Sequence, residues 1–396
     1  MDSDSNTCDS YDSDEYPELH PNFDALQNRI LSDLNLSLAR WQKLTKGRYH
    51  EIYVLYTSPT DGSEGNKLIA RFSRFIECPK KLQSEIATMR YVRLHTKIPV
   101  PEVYLIDTSP DNRVGAQYVV MQQMEGQHLY RIWDDLTIDH QKAVLCQIAA
   151  VLAQLANCKF DSIGCLQDDF SVGPLIHSIG VTEDGIDSIR IVCKGPFPTT
   201  LDYLQSFLED VPHLPRLEPL MADVKLLLRA HFGSQDPARL LQPPFRLIHA
   251  DFDAQNMLFT TPNNKSNDPP RLTAILDWEY AHTGPLYFLY DYPIFVQDAD
   301  WSKELYSRNA LLRRGFCHAL RGQFEEGSEE HEQAKAILPA GKNSRLNNFA
   351  AIFMGDLEWD WDSMEGVVRE YVQDEKQGTG KAYTGRLDWA PDPDTL

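Results

Sequence analysis

No apolar run in this 396-residue chain approaches the roughly 18 residues that a membrane-spanning helix requires. Positive charge is scarce as well: 38 Lys and Arg face 58 Asp and Glu, a formal charge of −20. A surface that neutralises phosphate backbones needs basic patches, so a DNA- or RNA-binding role is disfavoured. Met1-Asp2-Ser3-Asp4 offers neither the basic start nor the apolar segment of a signal peptide. Paired cysteines are missing too. The seven present (Cys8, Cys78, Cys146, Cys158, Cys165, Cys193 and Cys317) are odd in number and scattered, without a C-x-x-C. Zinc ribbons and disulfide frameworks need close pairs, so reduced thiols in a cytoplasmic protein are expected.

What the chain does have is a 42% hydrophobic share and a 24% charged share, the balance of a soluble globular protein. Its length allows two or three compact units. Residues 1–20 hold seven acidic side chains and no Lys or Arg, so a disordered acidic tail is expected there. Discounting those seven leaves −13 on the body. Phe23, Leu26, Ile30, Leu34 and Leu38 recur at helical spacing and predict one amphipathic opening helix. Ile52–Tyr56 and Lys67–Phe72 are rich in β-formers around the turn-like Thr60–Asn66, predicting a hairpin. A helix from Pro79 to about His95 follows, then strands at Val103–Ile106 and Gln117–Met121. Beyond Gly126 the pattern turns mostly helical, with a buried helix over Ala143–Leu155 and further helices near 201–208 and 217–231. Short strands are expected at 245–249, 256–260 and 272–276, with a polar Pro-containing loop over 261–271, helices to about Gln377 and a loose tail over 378–396. An α+β lobe joined to a larger helical lobe is the class this order predicts.

Chemistry concentrates in two stretches. In Leu247-Ile248-His249-Ala250-Asp251-Phe252-Asp253-Ala254-Gln255-Asn256-Met257-Leu258-Phe259, apolar strands flank a polar loop that holds Asp251 and Asn256 five positions apart. That spacing lets a carboxylate face an acceptor hydroxyl while an amide oxygen reaches a cation. Downstream, Thr273-Ala274-Ile275-Leu276 runs into Asp277-Trp278-Glu279, an acidic residue at a strand terminus. Asp277 can either cap a turn or present its carboxylate to a metal. His249 reads as support for the loop rather than as a proton-transfer group. The cluster Asp356–Asp362 reads as a solvated helix start or as part of a pocket for a cationic alcohol, and Asp291 as a buried anchor or a surface residue.

His249-x-Asp251-x4-Asn256 followed by Ile275-Leu276-Asp277-Trp278-Glu279 resembles the aminoglycoside phosphotransferase and choline kinase-like branch of the protein-kinase-like fold. Thr45-Lys46-Gly47-Arg48-Tyr49-His50 sits where that family's nucleotide loop joins its first two strands. Arg71 takes the place of the phosphate-binding basic residue, and Glu85 that of its ion-pair partner. Thr96–Pro101 and Tyr118–Met121 before Glu125-Gly126 resemble the helix-to-strand connection and hinge. Phe160–Leu166 with Val172-Gly173-Pro174 is similar to fungal members.

The resemblance implies a bilobal α+β kinase-like fold: a nucleotide lobe over 22–121, a hinge over 122–126 and a catalytic and substrate lobe over 127–396. It implies an ATP- and Mg²⁺-dependent phosphotransferase acting on a hydroxyl of a small molecule, with no nucleic-acid or membrane partner. Asp251 would be catalytic, Asn256 and Asp277 metal ligands, and Gly47, Arg71, Glu85, Met121, Gln122 and Met124 nucleotide-binding. Departures are visible. The nucleotide loop has one glycine, Arg71 replaces a lysine, and Gln122 stands where many members carry Glu. Ala250, Asp277-Trp278-Glu279 and the lack of Ala-Pro-Glu argue against a protein substrate. The competing expectation is a non-catalytic nucleotide-binding pseudokinase or scaffold.

Overall fold

The structure, a computed structural model, describes residues 18–47, 49–59, 65–75, 78–183, 186–208, 222–226, 228–229, 241–260, 268–290, 293–296, 303–337, 369 and 373. The acidic tail up to residue 17, Arg48, the turn residues Thr60–Glu64, most of the 217–231 and 261–271 segments, Asp291, the 356–362 cluster and the last tail lie outside them. The chain divides into two compact units. Unit 1 comprises Met1–Arg90 and Val100–Met124; unit 2 comprises Tyr91–Pro99 and Glu125–Leu396.

Unit 1 is built from α1 (Phe23–Leu34), β1 (Leu36–Lys46), β2 (His50–Pro59), β3 (Lys67–Ser73), most of α2 (Pro79–His95), β4 (Val103–Asp107) and β5 (Tyr118–Gln122). The strands form one antiparallel sheet in the order β1-β2-β3-β5-β4. The opening helix stops four residues sooner than its apolar spacing predicts. Asn35 adopts a left-handed conformation (φ 55°) and its N–H closes on the Leu31 carbonyl, a terminus Asn tolerates through its short polar side chain. Leu38 therefore belongs to β1, an 11-residue strand whose start helical periodicity concealed. Leu26 and Ile30 pack with Leu38, Tyr53, Leu55, Leu68, Ala70, Phe72, Tyr118 and Val120 on one face of the sheet. Each such aliphatic burial stabilises by about 1.5–3 kcal/mol. Alternation then sends Ile69, Arg71, Val119 and Met121 to the opposite face.

Unit 2 contains β6 (Gln127–His128), α3 (Leu129–Ile132), α4 (Ile138–Ala156), β7 (Lys159–Phe160), β8 (Leu175–Glu183), β9 (Ile186–Lys194), α5 (Thr200–Phe207), β10 (Phe245–Ile248), β11 (Met257–Phe259), β12 (Leu272–Ile275), β13 (His282–Gly284), α6 (Leu286–Leu289), α7 (Lys303–Arg321) and α8 (Glu329–Ile337). Thr137 caps α4 by accepting the His140 N–H, and the helix buries Val144, Leu145, Ile148, Val151, Leu152 and Leu155, the face its sequence predicts. α7 packs along it. Two three-stranded sheets, β13-β10-β7 and β12-β11-β6, carry the short strands. The β8–β9 hairpin is an element that the mostly helical expectation for this region did not include. The two strands pair antiparallel from Leu175↔Lys194 to Glu183↔Ile186. No helix among the described residues is long and apolar enough to cross a membrane.

Candidate active site

The sheet β13-β10-β7 places β10 at its centre, with all four residues buried. β10 delivers His249, and the chain then turns through Ala250 in a left-handed conformation (φ 67°). Asp277, at the end of β12, is left-handed as well (φ 60°). For Ala250 this costs roughly 1–2 kcal/mol, and less for an aspartate, whose short polar side chain tolerates it. Such strain persists only where its surroundings over-determine the backbone, and it collects at functional sites.

His249 joins the two strained points. Its Nδ1 accepts the Asp251 N–H at 3.3 Å and its Nε2 lies 2.8 Å from the Leu276 carbonyl. Those partners require a neutral ring with the proton on Nε2. The ring is buried against Trp278 (centroids 4.6 Å apart) and Phe252 (5.6 Å). Burial pulls its pKa down to about 4, against the two backbone hydrogen bonds. The unfolded chain, with an ordinary histidine pKa near 6.5, therefore binds more protons than the native protein between these values. His249's contribution is complete above pH 6.5 and is lost as the pH falls toward 4, a span worth about 3 kcal/mol. Urea titrations from pH 7 to 4.5 should show this slope in the wild type. The same series in His249→Gln should lack most of it; equal slopes would refute the assignment.

Asn256 ends a single 3-10 turn, Ala254–Asn256, capped by the Asp253 side chain on the Ala254 N–H (2.6 Å). Its amide nitrogen donates to both the carbonyl (3.0 Å) and the Oδ2 (2.7 Å) of Asp251. With the nitrogen so committed, the amide presents its oxygen as the donor atom for a cation. The Leu276 N–H donates to the Asn256 carbonyl at 2.8 Å, and Met257 pairs with Ile275, so the hairpin register sets Asn256 beside the strand end carrying Asp277. Asp277 Oδ1 is shut off from solvent. Among the described residues no three His, Cys, Asp or Glu side chains converge as a metal cage. One carboxylate and one amide oxygen nevertheless fit Mg²⁺, which keeps waters and shares a substrate's phosphates. Burial raises the Asp251 pKa, the Asn256 bond opposes it, and the Asp253 and Glu279 charges add to the rise.

Sequence reasoning passed over several supports of this loop. Asp253 is the cap, and its signal was an Asp directly before the turn. His128 Nδ1 lies 2.5 Å from the Gln255 carbonyl, and Thr273 Oγ1 donates to the Glu125 carbonyl at 2.5 Å. Gly126 (φ 123°) is required at that crossing, because a Cβ there would stand 2.6 Å from Thr273 Oγ1 and 2.8 Å from the Phe259 carbonyl.

Unit 1 holds the remaining candidates. Arg71 on β3 and Glu85 on α2 form a buried ion pair through Arg71 Nη2 and Glu85 Oε2. Gly47 opens the β1–β2 turn with its N–H on the His50 carbonyl at 2.8 Å. Its φ is not left-handed and a Cβ would meet only that carbonyl at 3.4 Å, so the turn itself does not demand glycine. Met121 pairs with Ile69, and the Gln122 N–H is taken by the Glu102 carbonyl at 2.8 Å. Met121, Gln122 and Met124 are each half-buried.

These features define a protein of the kinase-like α+β class. Residues 60–319 match the model of the phosphotransferase enzyme family, and the chain belongs to that family. A structure from Ralstonia eutropha JMP134, assigned as an aminoglycoside phosphotransferase, has the same fold at 14% identity, a TM-score of 0.50 and coverage of 90% of this chain and 99% of that one. A subtelomeric hrmA-associated cluster protein of Aspergillus fumigatus is 32% identical over 190 residues, 43% of this chain and 36% of that protein. Altered inheritance of mitochondria protein 9, mitochondrial, of Meyerozyma guilliermondii is 26% identical over 149 residues, 37% of this chain and 24% of that protein. The chain thus spans about a third and a quarter of the lengths of these two relatives.

Proposed function

We propose that the protein transfers the terminal phosphoryl group of ATP to a hydroxyl of a small molecule, in the cytoplasm. The observation that carries this is the Asn256 amide bonded to Asp251 in a loop that His249 ties to the strand end at Asp277. Asp251 orients the acceptor hydroxyl and takes its proton, the role of a positioned general base. Asn256 Oδ1 and the Asp277 carboxylate would hold Mg²⁺. The ion, when bound, neutralises charge on the transferring phosphoryl group. Arg71, held by Glu85, serves the nucleotide's phosphates, Met121, Gln122 and Met124 its base, and the Gly47 turn its phosphate side. Ala250 and Asp277-Trp278-Glu279 favour a small acceptor over a protein.

The single glycine of the nucleotide loop and Arg71 in the place of a lysine favour the second reading, a nucleotide-binding protein without turnover. ADP formation from Mg-ATP, measured with and without a panel of amino-alcohols and sugars, separates the two. Turnover on an acceptor supports the kinase; binding without turnover on any member supports the scaffold. In either case Asp277→Ala should abolish the Mg²⁺ dependence of nucleotide binding in a fluorescence titration. Unchanged Mg²⁺ dependence would remove Asp277 from the metal site.

A further inference from the structure

Glu51, the second residue of β2, is fully buried. Burying a carboxylate costs several kcal/mol unless its oxygens are met, and three elements meet this one. Its Oε1 accepts the Leu19 N–H at 3.0 Å, from the segment ahead of α1. Its Oε2 is 2.9 Å from Lys43 Nζ on β1 and accepts the Tyr53 hydroxyl at 3.1 Å. Lys43 also reaches Glu18 Oε1 at 3.3 Å. Burial works against charge on both partners, yet their bonds prevail: the Glu51 carboxyl is held below its ordinary range and the Lys43 ammonium above its own. The pair is ionised and closed.

The position of this network gives it a consequence. Lys46 pairs with Glu51 in the β1–β2 register, so Glu51 stands at the base of the turn that Gly47 opens, and Lys43, opposite Tyr53, reaches it from further along β1. The turn's other side is tied by Arg74, whose Nη1 donates to the Gly47 carbonyl at 3.0 Å and whose N–H donates to the Tyr49 carbonyl at 2.8 Å. Nothing in packing a sheet requires a carboxylate at position 51; its alternating partner Tyr53 meets the apolar core. A charge kept there at such cost fixes one geometry of the strands leaving the turn, and makes that geometry depend on Glu18 and Leu19.

We propose that Glu51 is a positioning residue that latches the N-terminal segment, at Glu18 and Leu19, onto the base of the β1–β2 turn and thereby sets the turn's nucleotide affinity. The affinity part rests on the phosphotransferase reading; the latch does not. Full-length Glu51→Gln and Lys43→Gln should both be made, the second because it removes a half-exposed partner and folds if the first does not. Hydrogen exchange should quicken together at residues 18–22 and 47–51 while β4 and β5 keep their protection. The Kd for a fluorescent Mg-ATP analogue should rise at least about fivefold, the scale of ordinary coupling between sites. The double variant should lose no more than the more damaging single one, because both break one network. Exchange that rises uniformly, or stays unchanged at 47–51, overturns the latch. Exchange confined to the two segments with an unaltered Kd overturns its nucleotide role. A wild type that binds no nucleotide refutes the phosphotransferase reading and leaves the exchange result standing.

Discussion

Asp251→Asn should cut phosphoryl transfer by about a hundredfold or more while leaving the Kd for Mg-nucleotide within about twofold, since a positioned general base contributes about 10²–10⁴ in rate. The substitution keeps the size of the side chain and an oxygen able to accept from Asn256 Nδ2, now 2.7 Å away. What it removes is the negative charge that orients the acceptor hydroxyl and receives its proton. Asn256 and Asp277, which would carry the metal, keep their backbone ties through Leu276. The loss should therefore fall on kcat, with the nucleotide KM nearly unmoved. Single-turnover kinetics with an identified acceptor check this. Near-normal turnover in Asp251→Asn would reject this assignment of the loop, and a collapse of nucleotide binding would show that Asp251 instead supports the metal site.

The pH dependence of the wild type adds a second handle on the same residue. Burial and the neighbouring Asp253 and Glu279 raise the Asp251 pKa above the ordinary carboxylate range. The base must be ionised to act, so activity should rise with pH on the acid side, with its inflection above that of a free aspartate.

The loop chemistry was legible in the sequence because it depends on residues close along the chain. Asp251 and Asn256 meet across five positions, and Asp277 joins them through one short hairpin, so spacing alone predicts their neighbourhood. The start of β1 was hidden because Leu34 and Leu38 satisfy helical and strand spacing at once. Only the Asn35 turn, a single-residue decision, separates the two. The β8–β9 hairpin was missed because the helical character of its surroundings dominated the reading of that region. Glu51 could not be read at all. One glutamate among 58 acidic residues says nothing about burial until Lys43, Tyr53 and Leu19 are brought to it by folding. The strain at Ala250 was equally invisible, because alanine does not advertise a left-handed backbone.

Arg71→Met should destabilise the protein by about 3–5 kcal/mol, because it leaves the Glu85 carboxylate buried with its ion-pair partner gone. Adding Glu85→Leu should restore most of that loss: a buried ion pair replaced whole by apolar side chains of similar volume is often neutral or better. The pair thus separates stability from function. If Arg71 serves the nucleotide's phosphates, the double variant folds, as judged by its urea midpoint, and still binds Mg-nucleotide at least about tenfold more weakly, the loss expected of a charge-assisted contact. Arg71→Lys should keep the fold and much of the affinity, since an ammonium can meet both Glu85 and a phosphate as a point charge, although it forfeits the planar fork. A stable double variant with wild-type nucleotide affinity would assign Arg71 and Glu85 to the architecture of unit 1 alone. Phosphate recognition would then have to come from other residues.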